Sequence, residues 1–138
     1  MAEECRTSFT GTVFSGVGHG SFYVSIYSRS FRVKLGINPY PGTLNVRLSQ
    51  GDAEKLDECL RSIDPVIVDP PSIPGAKLAK VLAYPALVGG IDAYLVKPLI
   101  TIYKSDVAEF ISEVYLRGAL RLRDGDRVVF TVGRNILI

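Results

Sequence analysis

The chain has 138 residues, 47% of them hydrophobic and 22% charged, which predicts one globular domain over residues 1–138. A formal net charge of only +2 gives no indication of a nucleic-acid partner. The sequence has no stretch near the roughly 18 apolar residues of a membrane span and no secretory signal pattern, so we expect a cytoplasmic monomer without a membrane partner.

Most of the predicted elements are short strands, which fits the 13 glycines and 8 prolines that interrupt the chain. Runs that are rich in aromatic and β-branched residues, or that alternate, predict strands at residues 8–15, 22–27, 31–35, 43–48, 77–88, 91–96, 106–111 and 128–132, and residues 66–68 form a shorter apolar run. Gly89-Gly90 should close a hairpin between two of these strands. The glycine-rich stretch GVGHG, residues 16–20, should join the first two strands without opening a helix.

Two helices are predicted between the strands. Ser49 can act as an N-cap, and four apolar residues then recur at helical spacing: Ala53, Leu56, Cys59 and Leu60. This helix should end before Asp64-Pro65, and residues 115–122 predict a second, shorter helix. Because strands and helices do not alternate, the pattern favours a mainly β fold. We expect a small closed β-barrel of six to seven mostly antiparallel strands with one or two short helices.

The two cysteines, Cys5 and Cys59, do not form a CxxC pair. A disulfide between them is one alternative, but nothing in the local sequence favours it, so we expect reduced thiols. The single histidine, His19, excludes a metal site made of several histidines.

The segment NPYPGTLNV, residues 38–46, places a turn with two prolines and a glycine before a strand that carries an asparagine. Because side chains i and i+2 of a strand share a face, Thr43 and Asn45 would present a hydroxyl and an amide oxygen together. Leu44 and Val46 would face the core. Neutral oxygens of this kind can hold Mg²⁺ when a nucleotide supplies the negative charge. Spacing alone favours the alternative that both side chains only satisfy backbone groups near the turn.

Three further stretches are candidates for chemistry. Successive N–H groups in GVGHG could cradle an anion, although a flexible turn is the simpler explanation. Glu109 is a carboxylate on a largely apolar strand, which makes it either an acid or base with a raised pKa or an exposed edge residue. Residues 114–117 could offer N–H groups to an anion or to the edge of a base, although most arginines in such a pattern belong to solvated surface.

The order of these motifs resembles the archaeal CTP-dependent riboflavin kinases over nearly the whole chain. GVGHGSFYV, LGINPYPGTLNVRL, Thr101 with Glu109, and VYLRGALRLRDGDRVVF follow one another as in that family, and LG-x-x-PYPGTLNV is the most specific part. The resemblance implies a cradle-loop β-barrel with CTP and riboflavin as substrates and Mg²⁺ as cofactor. It implies transfer of the γ-phosphoryl group of CTP to the ribityl 5′-hydroxyl of riboflavin, which gives FMN and CDP.

The resemblance also implies roles for individual residues. Thr43 and Asn45 would be the Mg²⁺ ligands, and Thr101 and Glu109 would contact the flavin. Glu109 would be the catalytic residue that orients or deprotonates the accepting hydroxyl. The nucleotide would contact two segments, namely Val17, Gly18, His19, Gly20, Ser21 and Phe22, and then Val114, Tyr115, Leu116 and Arg117.

The chain departs from the family's pattern at three places. Ile100 and Tyr103 stand where the family often has a basic residue and a histidine, and Ser112-Glu113 replaces an Ala-Pro pair. Two non-enzymatic alternatives stay open, a swapped-hairpin transcription regulator and a flavin-binding barrel without kinase activity. A third alternative is the same kinase reaction with ATP as the donor.

Overall fold

The computed structural model describes residue 5 and residues 7–16, 20–99 and 106–133, with the backbone alone at residues 20–22. The elements in these ranges are, in chain order, β1 (Ser8–Phe14), α1 (Gly20–Leu35), β2 (Leu44–Arg47), α2 (Gln50–Arg61), β3 (Val66–Val68), β4 (Val81–Val88), β5 (Ile91–Pro98), β6 (Val107–Ile111), α3 (Leu116–Leu120) and β7 (Arg127–Val132). Within the same ranges, no helix is both long enough and apolar enough to cross a membrane.

Six antiparallel strands form a closed barrel, so the predicted fold class is confirmed. The sheet runs in the order β3-β4-β5-β6-β2-β1-β7, and a pairing between β4 and β7 closes the ring, which leaves β3 as an extra strand on β4. Pro85 lies where the partner of β4 changes from β3 to β7. Its missing N–H therefore interrupts no ladder, and its carbonyl accepts a hydrogen bond from the N–H of Gly133 at 2.9 Å.

Two clusters of buried residues lie on opposite faces of the sheet. The larger cluster draws residues from all six barrel strands, so it fills the barrel interior, and α2 packs against it with Leu56 and Leu60. The smaller cluster lies on the outer face, where α1 packs on β3, β4, β5 and β6. Adjacent residues of one strand belong to different clusters, as Phe110 and Ile111 do, because side chains alternate between the faces.

Residues 20–35 form one helix, so the predicted strands at 22–27 and 31–35 are wrong. The prediction that GVGHG opens no helix is wrong as well, because α1 begins at Gly20. Aromatic and β-branched residues favoured strands locally. However, the buried residues Val24, Tyr27 and Phe31 recur three and four positions apart, which is helical spacing. Packing of this face on the outside of the barrel outweighs the local strand preference.

The other predicted elements are confirmed. The hairpin around Gly89-Gly90 joins β4 to β5, with Val88 opposite Ile91. Ser49 caps α2, since its Oγ accepts a hydrogen bond from the N–H of Asp52 at 3.2 Å. The short α3 lies within the range 115–122 predicted for it.

Cys5 and Cys59 form a disulfide, so the expectation of reduced thiols is wrong. The bond ties the segment before β1 to the last turn of α2, and the N–H of Cys5 also donates to Ser62 Oγ at 3.2 Å. The two cysteines are 54 positions apart. No local motif indicates such a pairing, because it depends on where the fold brings α2 against the first residues.

Candidate active site

Thr43, Asn45 and Glu109 meet on the outer face of the barrel, where β2 pairs with β6. Asn45 and Glu109 are directly opposite in the antiparallel register. The hydroxyl of Thr43 donates a hydrogen bond to the carboxylate of Glu109. Leu44 and Val46 point into the barrel and are 3% and 0% exposed, as the alternation predicts. The structure thus brings together the two residues expected to bind the metal and one expected to contact the flavin.

The side-chain oxygen of Asn45 lacks a protein partner. Asn45 is 7% exposed, and its Oδ1 has no hydrogen-bond partner among the residues that the structure describes. The alternative that this oxygen satisfies a nearby backbone group therefore does not hold. A buried acceptor without a partner costs roughly 1–3 kcal/mol, so a bound cation or donor would relieve a cost that the fold carries.

The hydroxyl of Thr43 complements this amide oxygen. It donates a hydrogen bond to Glu109, so the lone pairs of its oxygen remain available to a cation. Two neutral oxygens that share one strand face suit Mg²⁺, which takes few protein ligands and completes its shell with water and phosphate. The residues present therefore fit the metal that the sequence implies.

Glu109 lies on a paired strand, so the alternative of an exposed edge residue is wrong. Its strand, β6, pairs with β2 on one side and with β5 on the other. Burial raises the pKa of Glu109 above its usual value, and the hydrogen bond from Thr43 lowers it in part. A carboxyl group of this kind can orient a hydroxyl group or accept its proton.

A cavity of about 240 Å³ adjoins this group, between the turn before β2 and the segment before α3. Thr43 lines one side of it. The other side includes the four residues of the second predicted nucleotide segment: Val114, Tyr115, Leu116 and Arg117. One predicted metal ligand and one predicted nucleotide segment therefore face the same space.

Three contacts join the two walls of this cavity. The N–H of Tyr40 donates to the carbonyl oxygen of Ser112 at 2.7 Å, and the N–H of Asn38 donates to Glu113 Oε2 at 3.2 Å. The rings of Tyr40 and Tyr115 stack with their centroids 4.8 Å apart. The turn that aims Thr43 is thus fixed to the segment that begins α3.

Ser112 anchors this junction to the barrel. It is 4% exposed, and its hydroxyl donates to the carbonyl oxygen of Asp92 at 2.8 Å and accepts from the N–H of Val114 at 3.3 Å. An alanine could not make these hydrogen bonds, and a proline could not replace the contact of Glu113 with Asn38. Ser112-Glu113, which replaces the Ala-Pro pair of the family, therefore adds hydrogen bonds beside the cavity.

Arg117 connects the cavity to the end of β1. It donates to Asp124 Oδ1 at 2.7 Å, and both carboxylate oxygens of Asp124 accept from the hydroxyl of Ser15, at 3.0 and 2.8 Å. The hydrogen bonds from Arg117 and then Ser15 hold the pKa of Asp124 below its usual value. The second nucleotide segment is therefore tied to the residue just before the GVGHG stretch.

Several predicted residues lie outside what the structure describes: Val17, Gly18, His19 and Thr101, together with Ile100 and Tyr103. Gly20, Ser21 and Phe22 form the first turn of α1, and only their backbone is described. Their predicted contacts to nucleotide and flavin remain predictions.

The sequence analysis missed Tyr23, which α1 places near Glu109. Burial raises the pKa of Tyr23, and the charge of Glu109 raises it further. The hydroxyl of Tyr23 is buried without a hydrogen-bond partner among the described residues. The signal that could have found it is the helical spacing of Tyr23, Tyr27 and Phe31, which the composition of the segment obscured.

Comparisons with known proteins identify the family to which this chain is similar. A family model labelled as CTP-dependent riboflavin kinase, with the description "Domain of unknown function DUF120", matches residues 13–132. A protein named riboflavin kinase from Aeropyrum pernix is 54% identical over 123 residues, which cover 88% of this chain and 92% of the relative. Proteins of the same name from Ignicoccus hospitalis and Thermococcus kodakarensis are 45% and 41% identical. They match 88% and 86% of this chain, and 68% and 55% of their own lengths.

Proposed function

The chain belongs to the CTP-dependent riboflavin kinase family, and we propose that it transfers the γ-phosphoryl group of CTP to the ribityl 5′-hydroxyl of riboflavin. The products are FMN and CDP. The observation that carries this proposal is the group formed where β2 meets β6. There the unpartnered oxygen of Asn45 lies opposite Glu109, and Thr43 contacts Glu109 beside a cavity. Phosphoryl transfer requires a cation, a donor phosphate and an acceptor hydroxyl at one place. This group offers two oxygens for the cation and a carboxylate for the hydroxyl, and the cavity beside it offers space for the donor.

Thr43 and Asn45 would hold Mg²⁺. The support is the buried Oδ1 of Asn45, which has no partner in the described part of the chain, and the free lone pairs of the Thr43 hydroxyl. When bound, the ion would supply positive charge that offsets the negative charge of the nucleotide phosphates. Two neutral ligands give little affinity on their own, so we expect metal and nucleotide to bind together.

The nucleotide would occupy the cavity between the turn before β2 and α3. Residues 114–117 line it, and Asp124 links them to Ser15 at the end of β1, because it accepts hydrogen bonds from both Arg117 and Ser15. Because Thr43 lines the same cavity, the phosphates of a nucleotide bound there would lie near Thr43.

Glu109 would act on the acceptor side. Its carboxylate accepts a hydrogen bond from the hydroxyl of Thr43 and has further lone pairs for the hydroxyl of riboflavin. A loose phosphoryl-transfer transition state asks little of a base, so orientation of that hydroxyl is the larger part of the role. The fixed β2–β6 register sets where the carboxylate stands relative to Asn45.

The test is a comparison of donors. The purified protein is incubated with riboflavin, Mg²⁺ and either CTP, ATP, GTP or UTP, and FMN is separated by chromatography. We expect FMN with CTP and little with the other three nucleotides. FMN formation with ATP as the best donor would overturn the assignment of CTP.

A second set of measurements distinguishes the kinase from the two non-enzymatic alternatives. A flavin-binding barrel without kinase activity would bind riboflavin but show no heat of CTP binding in calorimetry. A transcription regulator would instead be retained on DNA in a salt-dependent way. Calorimetric CTP binding in the presence of Mg²⁺, without retention on DNA, is the result that the kinase proposal requires.

A further inference from the structure

Tyr23 carries a buried hydroxyl group that makes no hydrogen bond within the described structure. Its Oη has no hydrogen-bond partner among the described residues. Its ring is held by the rings of Tyr27 and Phe31, with centroids 4.9 and 6.1 Å away. Both neighbours belong to the buried face of α1. A well-held ring therefore keeps an unpaired hydroxyl group at one position, which is unfavourable for the fold on its own.

The surroundings of this hydroxyl group indicate its chemical role. Burial raises the pKa of Tyr23 far above the usual value, with Glu109 and then Tyr27 adding to the effect, so the hydroxyl stays protonated and can donate. The carboxylate of Glu109 is close enough for its charge to act on Tyr23, yet the two groups are not hydrogen-bonded. Tyr23 also packs against the outer cluster that contains Ile111, which lies two residues after Glu109 on β6. A ligand with several hydroxyl groups could therefore reach both side chains.

We propose that the hydroxyl of Tyr23 donates a hydrogen bond to the ribityl chain of riboflavin on the Glu109 side of the site. The inference rests on the proposed function, because it takes Glu109 to face the acceptor substrate. A polyol suits the pair, since its oxygen can accept from Tyr23 and its hydroxyl proton can go to Glu109. A phosphate oxygen suits it less well, because the carboxylate of Glu109 would repel it.

Tyr27 provides a matched control on the same helix. It lies four residues after Tyr23, but its hydroxyl donates to the carbonyl oxygen of Ala79 at 2.6 Å. Tyr27→Phe therefore removes a hydrogen bond within the protein, whereas Tyr23→Phe removes none among the described residues. Both variants keep the aromatic ring, so the packing of α1 is preserved.

The experiment measures riboflavin binding without nucleotide, by the change in flavin fluorescence, for the wild type and both variants. CTP binding is measured by calorimetry, and stability by thermal melting. Tyr23→Phe should weaken riboflavin binding about tenfold, the effect of one lost hydrogen bond. Its affinity for CTP should be unchanged and its Tm equal or higher. Tyr27→Phe should lower the Tm and leave riboflavin affinity unchanged.

Unchanged riboflavin affinity in Tyr23→Phe would overturn the inference. An equal loss of riboflavin and CTP affinity, or a Tm below that of the wild type, would also overturn it, because each indicates a role in packing. If the wild type binds no riboflavin, the proposed function fails together with the inference. If the wild type and Tyr23→Phe bind riboflavin equally well, the role of Tyr23 alone fails.

Discussion

Asn45 and Glu109 stand opposite each other across the β2–β6 pair, with the amide of one strand facing the carboxylate of the next. The register is fixed from the other face of the sheet, where Leu44 and Phe110 are also paired and are both buried in the barrel. A slip of one residue would expose these apolar side chains. The spacing between the proposed metal ligand and the proposed catalytic carboxylate is therefore a property of the barrel core.

Asn45→Ala should reduce turnover by about 100-fold or more without unfolding the protein. Loss of a direct ligand should cost at least as much as loss of a supporting residue, which is about 10- to 100-fold in metal affinity. The Tm should change little, because Oδ1 of Asn45 accepts no hydrogen bond from the described residues. Initial rates over a Mg²⁺ series and thermal melting measure the two effects. Asn38→Ala is the control, and near wild-type activity of Asn45→Ala at limiting Mg²⁺ would contradict the assignment.

Glu109→Gln should slow turnover more than it weakens CTP binding. The amide keeps the size of the side chain but cannot take a proton. A loss of about 100-fold or more in kcat would indicate base catalysis, and a loss nearer tenfold would indicate orientation. Rates at saturating substrate and calorimetric CTP affinity separate these effects. Glu113→Gln is the control, since Glu113 is an exposed carboxylate that accepts from the backbone of Asn38. An unchanged kcat in Glu109→Gln would remove Glu109 from the chemistry.

The fold class could be predicted because most of its signals are local. Alternation along β2 placed Leu44 and Val46 inside the barrel, and Ser49 marked the start of α2. The helix α1 could not be predicted in the same way. Its residues favour strands locally, and its helical form depends on packing against β3, β4, β5 and β6, which the chain reaches later.

Contacts between distant segments also limit how much of the site could be predicted from the sequence. Thr43 and Asn45 are two residues apart at the start of β2, so the strand pattern predicts that they share a face, and both lie beside Glu109. Their proximity to Glu109 depends on the pairing of β2 with β6, which are distant in the chain. The position of Tyr23 depends in turn on α1. Residues that meet only through the fold carry no local signal.

Reduction of the Cys5–Cys59 disulfide should destabilise the protein. Cross-linking residues that are 54 positions apart restricts the unfolded chain, which contributes about 4 kcal/mol in the loop-entropy model. Thermal melting with and without a thiol reductant measures the loss. The Tm of the reduced wild type should equal that of the Cys5→Ser variant. The reductant should not change the Tm of the variant. Two free thiols in the denatured protein before reduction would contradict the disulfide.

Alanine at two glycines should change stability in opposite directions. A Cβ at Gly11 would contact Cγ1 of Val46 and lie 2.8 Å from the carbonyl oxygen of Arg47, so Gly11→Ala should destabilise the barrel by about 1–3 kcal/mol. A Cβ at Gly51, in the first turn of α2, would have no atom within 4 Å. Gly51→Ala should stabilise by up to about 1 kcal/mol. Urea unfolding measures both, and effects of equal sign would contradict this interpretation.

Asp124 should make stability depend on pH at the acid end of the range. The hydrogen bonds from Arg117 and Ser15 lower its pKa in the folded state. The stability that this adds is complete above the pKa of the unfolded state, about 3.9, and is lost as the pH falls through the lower folded value. Asp124→Asn should therefore melt below the wild type at neutral pH, by a small amount because the carboxylate is exposed. The two melting curves should converge below about pH 4, and a difference that stays constant down to the most acid pH at which both proteins fold would contradict the prediction.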